Sequence, residues 1–382
     1  MMLSNEERQR YQRHLTLAEI GERGQTLLKA ARVLVIGAGG LGSPALLYLA
    51  AAGVGTIGIV EDDRVDISNL HRQILFGESS AGRSKAQEAK RRVVDVNPHV
   101  TVALHETRFA PDNALDILTG YDLVLDGSDN FSTRYLANDA CVIRGIPLIS
   151  GSIDRFEGQV SVFSTRGGPC YRCLFPEIPD PSLVPSCAES GVLGVLPGVI
   201  GSLMATEAIK LLCGIGEPLI GRLLRYDALA MRFAEFRIAR DPDCPMCGRD
   251  GRSTLFESYE FACQTEPLEI TFAQLPDDAL LIDVRESIEF RTRPSRAQLI
   301  PMSIFASRIE ALPRDRAIVL LCASGIRSLT AANMLIARGF SNVCSLAGGL
   351  QRNPELAISV VALDGFSATS APETPPASAP QS

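Results

Sequence analysis

Tryptophan is absent from the 382-residue chain, and lysine is scarce. Lysine and arginine together number 37 against 44 acidic residues, which gives a formal net charge of −7 at pH 7. Proteins that bind nucleic acid usually carry a basic patch, so we expect no nucleic-acid partner. The only lysines are Lys29, Lys85, Lys90 and Lys210, so a lysine beside a functional motif is informative.

The chain also lacks a long, clean apolar run. A membrane-spanning helix needs about 20 apolar residues, whereas the stretches Ala45–Val60 and Gly191–Ala208 are broken by glycine, and the second also by Pro197. We interpret both as buried helices and strands. No basic segment followed by an apolar one opens the chain, so we expect no signal peptide. These features predict a cytoplasmic protein without a membrane partner.

Composition and length favour a globular protein of two domains or slightly more. Hydrophobic residues make up 46% of the chain and charged residues 21%, which suffices for a sizeable core. Ten cysteines are present. In a chain that looks intracellular, they indicate metal or thiol chemistry rather than disulfide bonds.

Four of the cysteines form two CxxC pairs, Cys170 and Cys173 in PCYRC and Cys244 and Cys247 in CPMCG. Each two-residue gap lets both thiolates of a pair reach one ion, and four thiolates complete a closed tetrahedral zinc site. Such a site leaves no ligand position open, so we predict a structural Zn²⁺. Redox-active pairs or ordinary buried cysteines are the alternative.

A glycine loop follows the first apolar segment. RVLVI predicts a buried strand, and GAGGLG then places Gly37, Gly39 and Gly42 in a GxGxxG pattern before a segment that is helical after Pro44. A helix N-terminus reached this way offers N–H groups to phosphate. The next strand, TIGIV, ends at the acidic residues 61–63, where a carboxylate can bind ribose. The pattern predicts a nucleotide without saying which one, and on the loop alone a NAD(P)-dependent oxidoreductase is the default.

Two further segments favour a triphosphate. Arg72 and Lys85 follow closely behind the loop, and a basic pair there suits charge that develops on phosphate oxygens. The segment YDLVLDGSDN places Asp126, Asp129 and Asn130 at the end of another strand, where Mg²⁺ could bind a carboxylate. Taken singly, Arg72 and Lys85 would be solvated surface charges, and Asp126 would be a cap or turn residue.

These motifs together resemble the MoeB/ThiF group of adenylating enzymes, relatives of the ubiquitin-activating enzymes, over roughly residues 5–250. The resemblance implies an α/β fold with an E1-like, Rossmann-type doubly wound sheet, a homodimer, and the use of ATP and Mg²⁺ to activate the C-terminal Gly-Gly carboxylate of a ubiquitin-like sulfur carrier of the MoaD/ThiS type. It also implies that Arg13, in RYQRHLTL, reaches the ATP of the partner protomer. Glu61 departs from the family's usual aspartate. The implied nucleotide-binding residues are Gly37, Gly39, Gly40, Gly42, Glu61, Asp63, Ser68, Asn69, Leu70, His71, Arg72, Gln73, Lys85, Asp129 and Asn130.

A second, smaller domain follows a polar linker. We predict an adenylation domain at 1–250, a linker at 251–265, a domain at 266–356, and a disordered tail rich in serine, alanine and proline at 357–382. In the second domain, Cys322 lies between the buried strand AIVLLC and a helix, where backbone N–H groups can stabilise a sulfur anion. Gly325 allows the loop to curl round the sulfur, and Arg327 adds positive charge.

This domain resembles a small α/β rhodanese domain, with the loop CASGIRS after an upstream DVRE and before a downstream AGGL. The segment SRAQLIPMS and Arg352 depart from the usual pattern. The resemblance implies a persulfide on Cys322, held by the loop residues Cys322, Ala323, Ser324, Gly325, Ile326 and Arg327. A buried core cysteine is the alternative.

Cys187, in PSCAESGVLG, is a third candidate thiol, because the family places a cysteine here that can attack an adenylated carboxyl. The resemblances imply catalytic roles for Arg13, Arg72, Lys85, Asp129, Cys187 and Cys322. They predict an adenylyltransferase and sulfurtransferase that turns the carrier into a thiocarboxylate for molybdopterin- or thiamine-type pathways. A cysteine desulfurase or thiosulfate would supply the sulfur. A NAD(P)-binding oxidoreductase with an added rhodanese domain and a non-catalytic scaffold are the alternatives.

Overall fold

A computed structural model describes residues 2–165, 167–179, 191–259, 268–276, 278–340 and 342–357. Cys187 and residues 358–382 of the predicted tail lie outside these ranges. The chain divides into two compact units, Met1–Phe261 and Ala262–Ser382.

The first unit is built on an eight-stranded sheet with the order β3-β2-β1-β4-β5-β6-β7-β8. Neighbouring strands from β3 to β5 run parallel, whereas β6, β7 and β8 each run antiparallel to the preceding strand. The parallel part confirms the predicted Rossmann-type sheet, and the antiparallel extension was not predicted. The strands are β1 Arg32–Ile36, β2 Thr56–Val60, β3 Thr101–His105, β4 Leu123–Asp126, β5 Leu148–Asp154, β6 Glu157–Phe163, β7 Arg222–Asp227 and β8 Arg232–Arg237.

Helices cover both faces of the central parallel strands, so β1, β2 and β4 are buried along most of their length. On β1, Val33 and Val35 belong to one buried cluster and Leu34 and Ile36 to another, as the alternation of side chains along a strand requires. The helices are α1 Asn5–Arg10, α2 Gln12–Leu15, α3 Gly21–Ala30, α4 Gly42–Ala52, α5 Lys85–Val96, α6 Ala114–Ile117, α7 Phe131–Arg144, α8 Tyr171–Leu174 and α9 Leu196–Cys213.

Helix α9 is long and apolar enough, by length and composition, to cross a membrane, but half of it is buried in the protein. Its residues Ile200 and Met204 pack so closely on the sheet that a Cβ at Gly151 or Gly158 would collide with them. A buried carboxylate, Glu207, pairs with Lys210 at 2.6 Å within the same helix. This packing is that of a core helix, as the sequence predicted for most of this stretch.

The second unit contains a five-stranded parallel sheet with the order β11-β10-β12-β13-β9. Its strands are β9 Leu268–Ile270, β10 Leu280–Asp283, β11 Gln298–Leu299, β12 Ile318–Leu321 and β13 Val343–Leu346. Its helices are α10 Ser287–Thr292, α11 Met302–Arg308, α12 Ile326–Ala337 and α13 Gly349–Arg352. The predicted buried strands at LLID and IVLL are present, and the unusual segment SRAQLIPMS contributes the short edge strand β11.

Candidate functional sites

A cavity of about 390 Å³ opens at the carboxyl ends of β1, β2 and β4 in the first unit. Open α/β sheets bind ligands at this edge, where the strand order reverses. The lining brings together ten of the predicted nucleotide-binding residues: Gly37, Gly39, Gly40, Glu61, Asp63, Arg72, Gln73, Lys85, Asp129 and Asn130.

The glycine loop after β1 combines two different requirements. Gly37 has φ +85°, which favours glycine, and a Cβ on Gly42 would collide with the Gly37 carbonyl oxygen. A Cβ on Gly39, by contrast, would meet only Gln73 Nε2, at an ordinary 3.7 Å. The protein itself therefore does not require glycine at position 39. Its small size leaves room on the cavity side for a ligand to approach the backbone.

Glu61, at the end of β2, braces this loop. Its Oε2 accepts a hydrogen bond from the Ala38 amide at 2.9 Å, and its Oε1 accepts one from the Asp63 amide at 3.0 Å. Burial raises the pKa of Glu61, and the two amide donors oppose the rise. Each carboxylate oxygen keeps a second lone pair, so a further hydrogen bond to a ribose hydroxyl is compatible with the bracing role.

The basic groups of the cavity come from separate segments. Lys85, the first residue of α5, is buried and pairs with Asp63 Oδ2 at 2.7 Å. Arg72 follows the short 3₁₀ helix Ile67–Asn69, and its guanidinium donates to the Ser68 carbonyl at 3.1 Å. Gln73 is buried beside it, and its Oε1 has no hydrogen-bond partner among the residues that the structure describes. These segments thus give the cavity wall two of its cations and an unsatisfied acceptor.

The turn after β4 adds a further carboxylate to the cavity. Asp129 is exposed at the cavity, and Asn130 caps α7 by accepting a hydrogen bond from the Thr133 amide at 2.8 Å. Asp126 is fully buried, and its Oδ1 accepts hydrogen bonds from the amide and hydroxyl of Ser128. Burial raises the pKa of Asp126, and the nearby Arg134 guanidinium opposes the rise. Asp126 therefore supports the turn, while Asp129 is the carboxylate of this turn that a metal ion in the cavity could reach.

The cavity also contains residues that the sequence analysis missed: Thr107, Arg108, Phe109, Ser128, Thr133, Arg134, Ile153 and Val192. Of these residues, only Arg134 could have been suspected from the sequence. It lies four residues, about one helical turn, after Asn130. Of the predicted residues, Gly42, Ser68, Asn69, Leu70 and His71 do not line the cavity. Gly42 instead allows the loop to pack closely, because a Cβ at this position would collide with the Gly37 carbonyl oxygen. Arg13 lies exposed on α2, away from the lining of its own chain's cavity.

The four paired cysteines converge on one point. Their sulfur atoms all lie within 4.8 Å of one another, with Cys170 and Cys244 at 3.5 Å and Cys173 and Cys247 at 3.3 Å. A tetrahedron with Zn–S bonds of about 2.3 Å has sulfur–sulfur edges of roughly 3.8 Å. The cluster therefore has the size and donor set of a four-thiolate metal site.

The backbone around the cysteines is correspondingly tight. The amide of Cys173 donates to the Cys170 carbonyl at 3.0 Å, and that of Gly248 donates to the Cys244 carbonyl at 2.9 Å. A Cβ at Gly248 would collide with this carbonyl, so the glycine that follows CPMC is required by the turn. The amide of Asp241 also donates to Cys173 Sγ at 3.4 Å. An amide donor to sulfur stabilises a thiolate, which is the form that binds metal.

In the second unit, Cys322 lies directly after β12 and is fully buried. Its Sγ accepts a hydrogen bond from the Gly325 amide at 3.1 Å, with the Ser328 hydroxyl at 3.6 Å. Gly325 has φ +100°, and a Cβ there would press on the Gly348 amide at 3.0 Å. The loop therefore curls round the sulfur as predicted, and glycine makes this curl possible.

The AGGL turn locks the loop from behind. The amide of Leu350 donates to the Cys322 carbonyl at 2.9 Å, and the amide of Gln351 donates to the Ala323 carbonyl at 3.0 Å. The predicted effect of Arg327 needs a correction. Its guanidinium forms a bidentate pair with Glu289, at 2.6 and 2.7 Å, which offsets the positive charge that the sequence placed beside the sulfur.

A nucleotide cavity at the switch point of a Rossmann-type sheet, a four-cysteine cluster and a separate thiol loop define a two-unit α/β enzyme of nucleotide and sulfur chemistry. The ThiF family matches residues 11–246 and the rhodanese-like domain matches residues 271–352. The chain belongs to the ThiF family and carries a rhodanese-like domain.

The chain is similar to curated proteins with the same pairing of activities. It is 50% identical to the probable adenylyltransferase/sulfurtransferase MoeZ of Mycobacterium tuberculosis, over 91% of this chain and 93% of the relative. It is 53% identical to the sulfur carrier protein adenylyltransferase of Thermus thermophilus, over 69% of this chain and 99% of the relative. The chain is accordingly an adenylyltransferase and sulfurtransferase, and the oxidoreductase and scaffold alternatives are set aside.

Solved structures support the fold alone. The crystal structure of Escherichia coli MccB matches with a TM-score of 0.58 at 22% identity, over 67% of this chain and 76% of that chain.

Proposed function

We propose that the first unit uses ATP to adenylate the C-terminal Gly-Gly carboxylate of a ubiquitin-like sulfur carrier. The observation that carries the proposal is the convergence of Arg72, Lys85 and Asp129 on the cavity of a ThiF-family adenylyltransferase. A carboxylate is a poor electrophile, whereas an acyl-adenylate has a good leaving group. The named relative that adenylates a sulfur carrier protein supports this choice of substrate.

The residues divide the work by charge. Arg72 and Lys85 stabilise phosphate charge as the bond between the α- and β-phosphates breaks. The exposed Asp129 carboxylate is the group that would hold Mg²⁺, which neutralises phosphate charge when bound. Glu61 holds the glycine loop and can bind ribose. Gly39 leaves the backbone open to the phosphates.

Sulfur transfer is assigned to the second unit. A sulfur donor, either a cysteine desulfurase or thiosulfate, leaves a persulfide on Cys322. The terminal sulfur attacks the acyl carbon of the adenylate, the bond to AMP breaks, and AMP leaves with the electron pair. The product is an acyl disulfide with Cys322. Attack by Cys187 on Cys322 Sγ would release the carrier thiocarboxylate and leave a disulfide that a cellular dithiol reduces.

Three further assignments complete the proposal. The four-cysteine cluster holds a structural Zn²⁺ that ties the two CxxC segments together. Two chains form a homodimer in which Arg13 reaches the partner's ATP, consistent with its exposure on α2. We infer a cytoplasmic location, because ATP and a sulfur carrier of the molybdopterin or thiamine type would be met there.

The test is to incubate the protein with ATP and candidate carriers and to weigh the carriers by mass spectrometry. Addition of adenylate, followed by a mass gain of about 16 Da when oxygen is replaced by sulfur, is the expected result. For the dimer, a mixture of Arg13→Ala and Asp129→Ala chains should regain ATP–pyrophosphate exchange, because one site per mixed dimer has both residues. A mixed dimer without activity would contradict the role of Arg13 across the interface.

A further inference from the structure

Ser345 places a hydroxyl inside the apolar core of the second unit. It lies on β13 and is fully buried. Val343, two residues earlier on the same face of the strand, belongs to the buried cluster that contains Cys322 and Ala331 of α12. A buried hydroxyl costs free energy unless it forms a hydrogen bond. The partner of Ser345 therefore indicates what this polar group does in the core.

The hydroxyl of Ser345 leads to the thiol through a second serine. Among the residues that the structure describes, its one hydrogen-bond partner is Ser328 Oγ, at 3.0 Å. Ser328 is the last residue of the CASGIRS segment and is also fully buried. Its hydroxyl has two further neighbours, the Gly325 carbonyl at 2.9 Å and Cys322 Sγ at 3.6 Å. The serine pair, Ser328 and Ser345, thus ends at the sulfur.

The number of protons in the serine pair fixes the direction of its hydrogen bonds, because each hydroxyl has one proton to donate. If Ser345 only accepted, its own proton would be buried without a partner, so Ser345 donates to Ser328 Oγ. The Ser328 proton is then left for the Gly325 carbonyl or for Cys322 Sγ. The closer carbonyl is the better acceptor while the sulfur is a neutral thiol, whereas a thiolate is the stronger acceptor because it is charged.

We propose that Ser345 is a positioning residue for sulfur transfer: by donating to Ser328 Oγ, it keeps the Ser328 proton available to the Cys322 thiolate that leaves when a persulfide gives up its sulfur. A donor to the Ser328 oxygen also polarises the O–H bond, which strengthens the bond to the sulfur. The serine pair thereby adds a side-chain donor to the backbone donor of Gly325. The inference rests on the proposed role of Cys322 as the persulfide carrier.

Thiosulfate:cyanide sulfurtransfer separates the two tasks of the sulfur. In the first half-reaction, the Cys322 thiolate attacks the outer sulfur of thiosulfate, and sulfite leaves with the electron pair of the broken S–S bond. In the second, cyanide attacks the terminal sulfur of the persulfide, thiocyanate forms, and the electron pair of the broken bond goes to Cys322 Sγ. Stabilising a thiolate makes it a better leaving group but a weaker nucleophile. The serine pair should therefore act mainly in the second half-reaction.

The test is a steady-state analysis of the full-length protein and its Ser345→Ala variant. The variant should lose about fivefold in kcat/KM for cyanide, as expected when a hydrogen bond to a charged group is weakened. It should lose less than about twofold in kcat/KM for thiosulfate. Thr330→Ala is the control, because this hydroxyl donates to the Ile326 carbonyl of its own helix at 3.2 Å, and it should keep both wild-type values. An equal fall of both constants in Ser345→Ala would indicate a merely structural role and overturn the inference.

Two further comparisons isolate the hydroxyl and its route. Ser345→Thr and Ser345→Val have side chains of the same shape, and the Thr variant should react with cyanide about fivefold faster because it alone keeps a donor. In a Ser328→Ala background, Ser345→Ala should cause no further loss, because both changes remove the same interaction. Equal rates in Thr and Val, or a full additional loss in the double variant, would overturn the inference. Sulfur transfer that survives Cys322→Ala would instead contradict the proposed role of Cys322 and the inference with it.

Discussion

The two proposed reaction sites of this chain are built in different ways. In the nucleotide cavity, the charged groups to which we assign catalysis are side chains from separate segments: Arg72, Lys85 and Asp129. In the thiol loop, the sulfur is held mainly by backbone, through the Gly325 amide and the turn at Gly349. A single truncated side chain should therefore disable the first site. Apart from the partial effect proposed for the serine pair, the second site should lose activity only when the thiol itself is removed or when one of the glycines of the loop is replaced.

The largest expected effect is the loss of the thiol. Cys322→Ala should abolish sulfur transfer from thiosulfate or a persulfide donor, because no other group of the loop can carry the sulfur. Carrier-dependent ATP–pyrophosphate exchange should stay at the wild-type rate. Thiosulfate:cyanide sulfurtransfer and the exchange assay on the same preparation measure the two activities. Residual sulfur transfer in this variant would mean that another cysteine carries the persulfide.

The reverse pattern is expected for the cavity. Asp129→Ala should slow carrier-dependent ATP–pyrophosphate exchange by about 10²–10³-fold, the usual scale for removing a group that stabilises transition-state charge. Sulfur transfer from thiosulfate should survive. Asp95→Ala is a suitable control, because this exposed carboxylate pairs with Arg92 on its own helix. If both variants kept full exchange activity, Asp129 would not be the group that holds Mg²⁺.

Substitutions in the cysteine cluster test whether the first unit, which contains the cavity, depends on a structural metal for its stability. Cys244→Ser should lose the metal and lower the melting temperature by about 10 °C or more, because a structural zinc contributes several kcal/mol to folding. Cys213→Ser is the control, since this buried thiol lies outside the cluster. It should keep about one Zn²⁺ per chain by metal analysis. Unchanged stability in a metal-free Cys244→Ser protein would contradict a structural zinc.

The sequence predicted the features that local chemistry dictates. A buried strand before GAGGLG and the short CxxC spacings each require a particular backbone, and the cavity and the cluster appear where they were expected. Strand β8 was missed because all six residues of RFAEFR are exposed. Such a strand has no buried face, and its sequence therefore lacks the alternation of apolar and polar residues by which strands are predicted. Arg134 and the pairing of Arg327 with Glu289 were missed because they depend on how distant segments pack.

A smaller effect should distinguish a steric clash within the thiol loop from the general strain of replacing a glycine at positive φ. Gly349 has φ +51°, and a Cβ there would collide with the Cys322 carbonyl. Gly349→Ala should therefore cut thiosulfate:cyanide sulfurtransfer about tenfold or more, the result of a displacement on the order of 1 Å. Gly339→Ala is the matched control, because its φ is +81° and its Cβ would meet only Arg314 Nη1, at 3.7 Å.

Both variants carry the strain of a non-glycine residue at positive φ, about 1–2 kcal/mol. Only the first disturbs the sulfur. Equal activity losses in the two variants would mean that strain, rather than contact with Cys322, governs the loop.

The smallest effect concerns the ion pair between Arg327 of the thiol loop and Glu289. The Arg327 guanidinium lowers the pKa of Glu289 below its ordinary value of 4.5. A carboxyl with a lowered folded-state pKa stabilises the fold fully above its unfolded value, and this contribution disappears as the pH falls through the lowered one. Glu289 is about one-third exposed, so the contribution is at most about 1 kcal/mol.

Glu289→Gln should therefore destabilise the second unit slightly at pH 7 and flatten its loss of stability below pH 4.5. Hydrogen exchange of peptides from residues 278–340 measures this, with Glu310→Gln as the control because that exposed carboxylate pairs with Arg314 only one turn away. An unchanged acid limb in Glu289→Gln would show that the pair with Arg327 adds no measurable stability to the second unit, and the stability of the thiol loop would then rest on its backbone contacts.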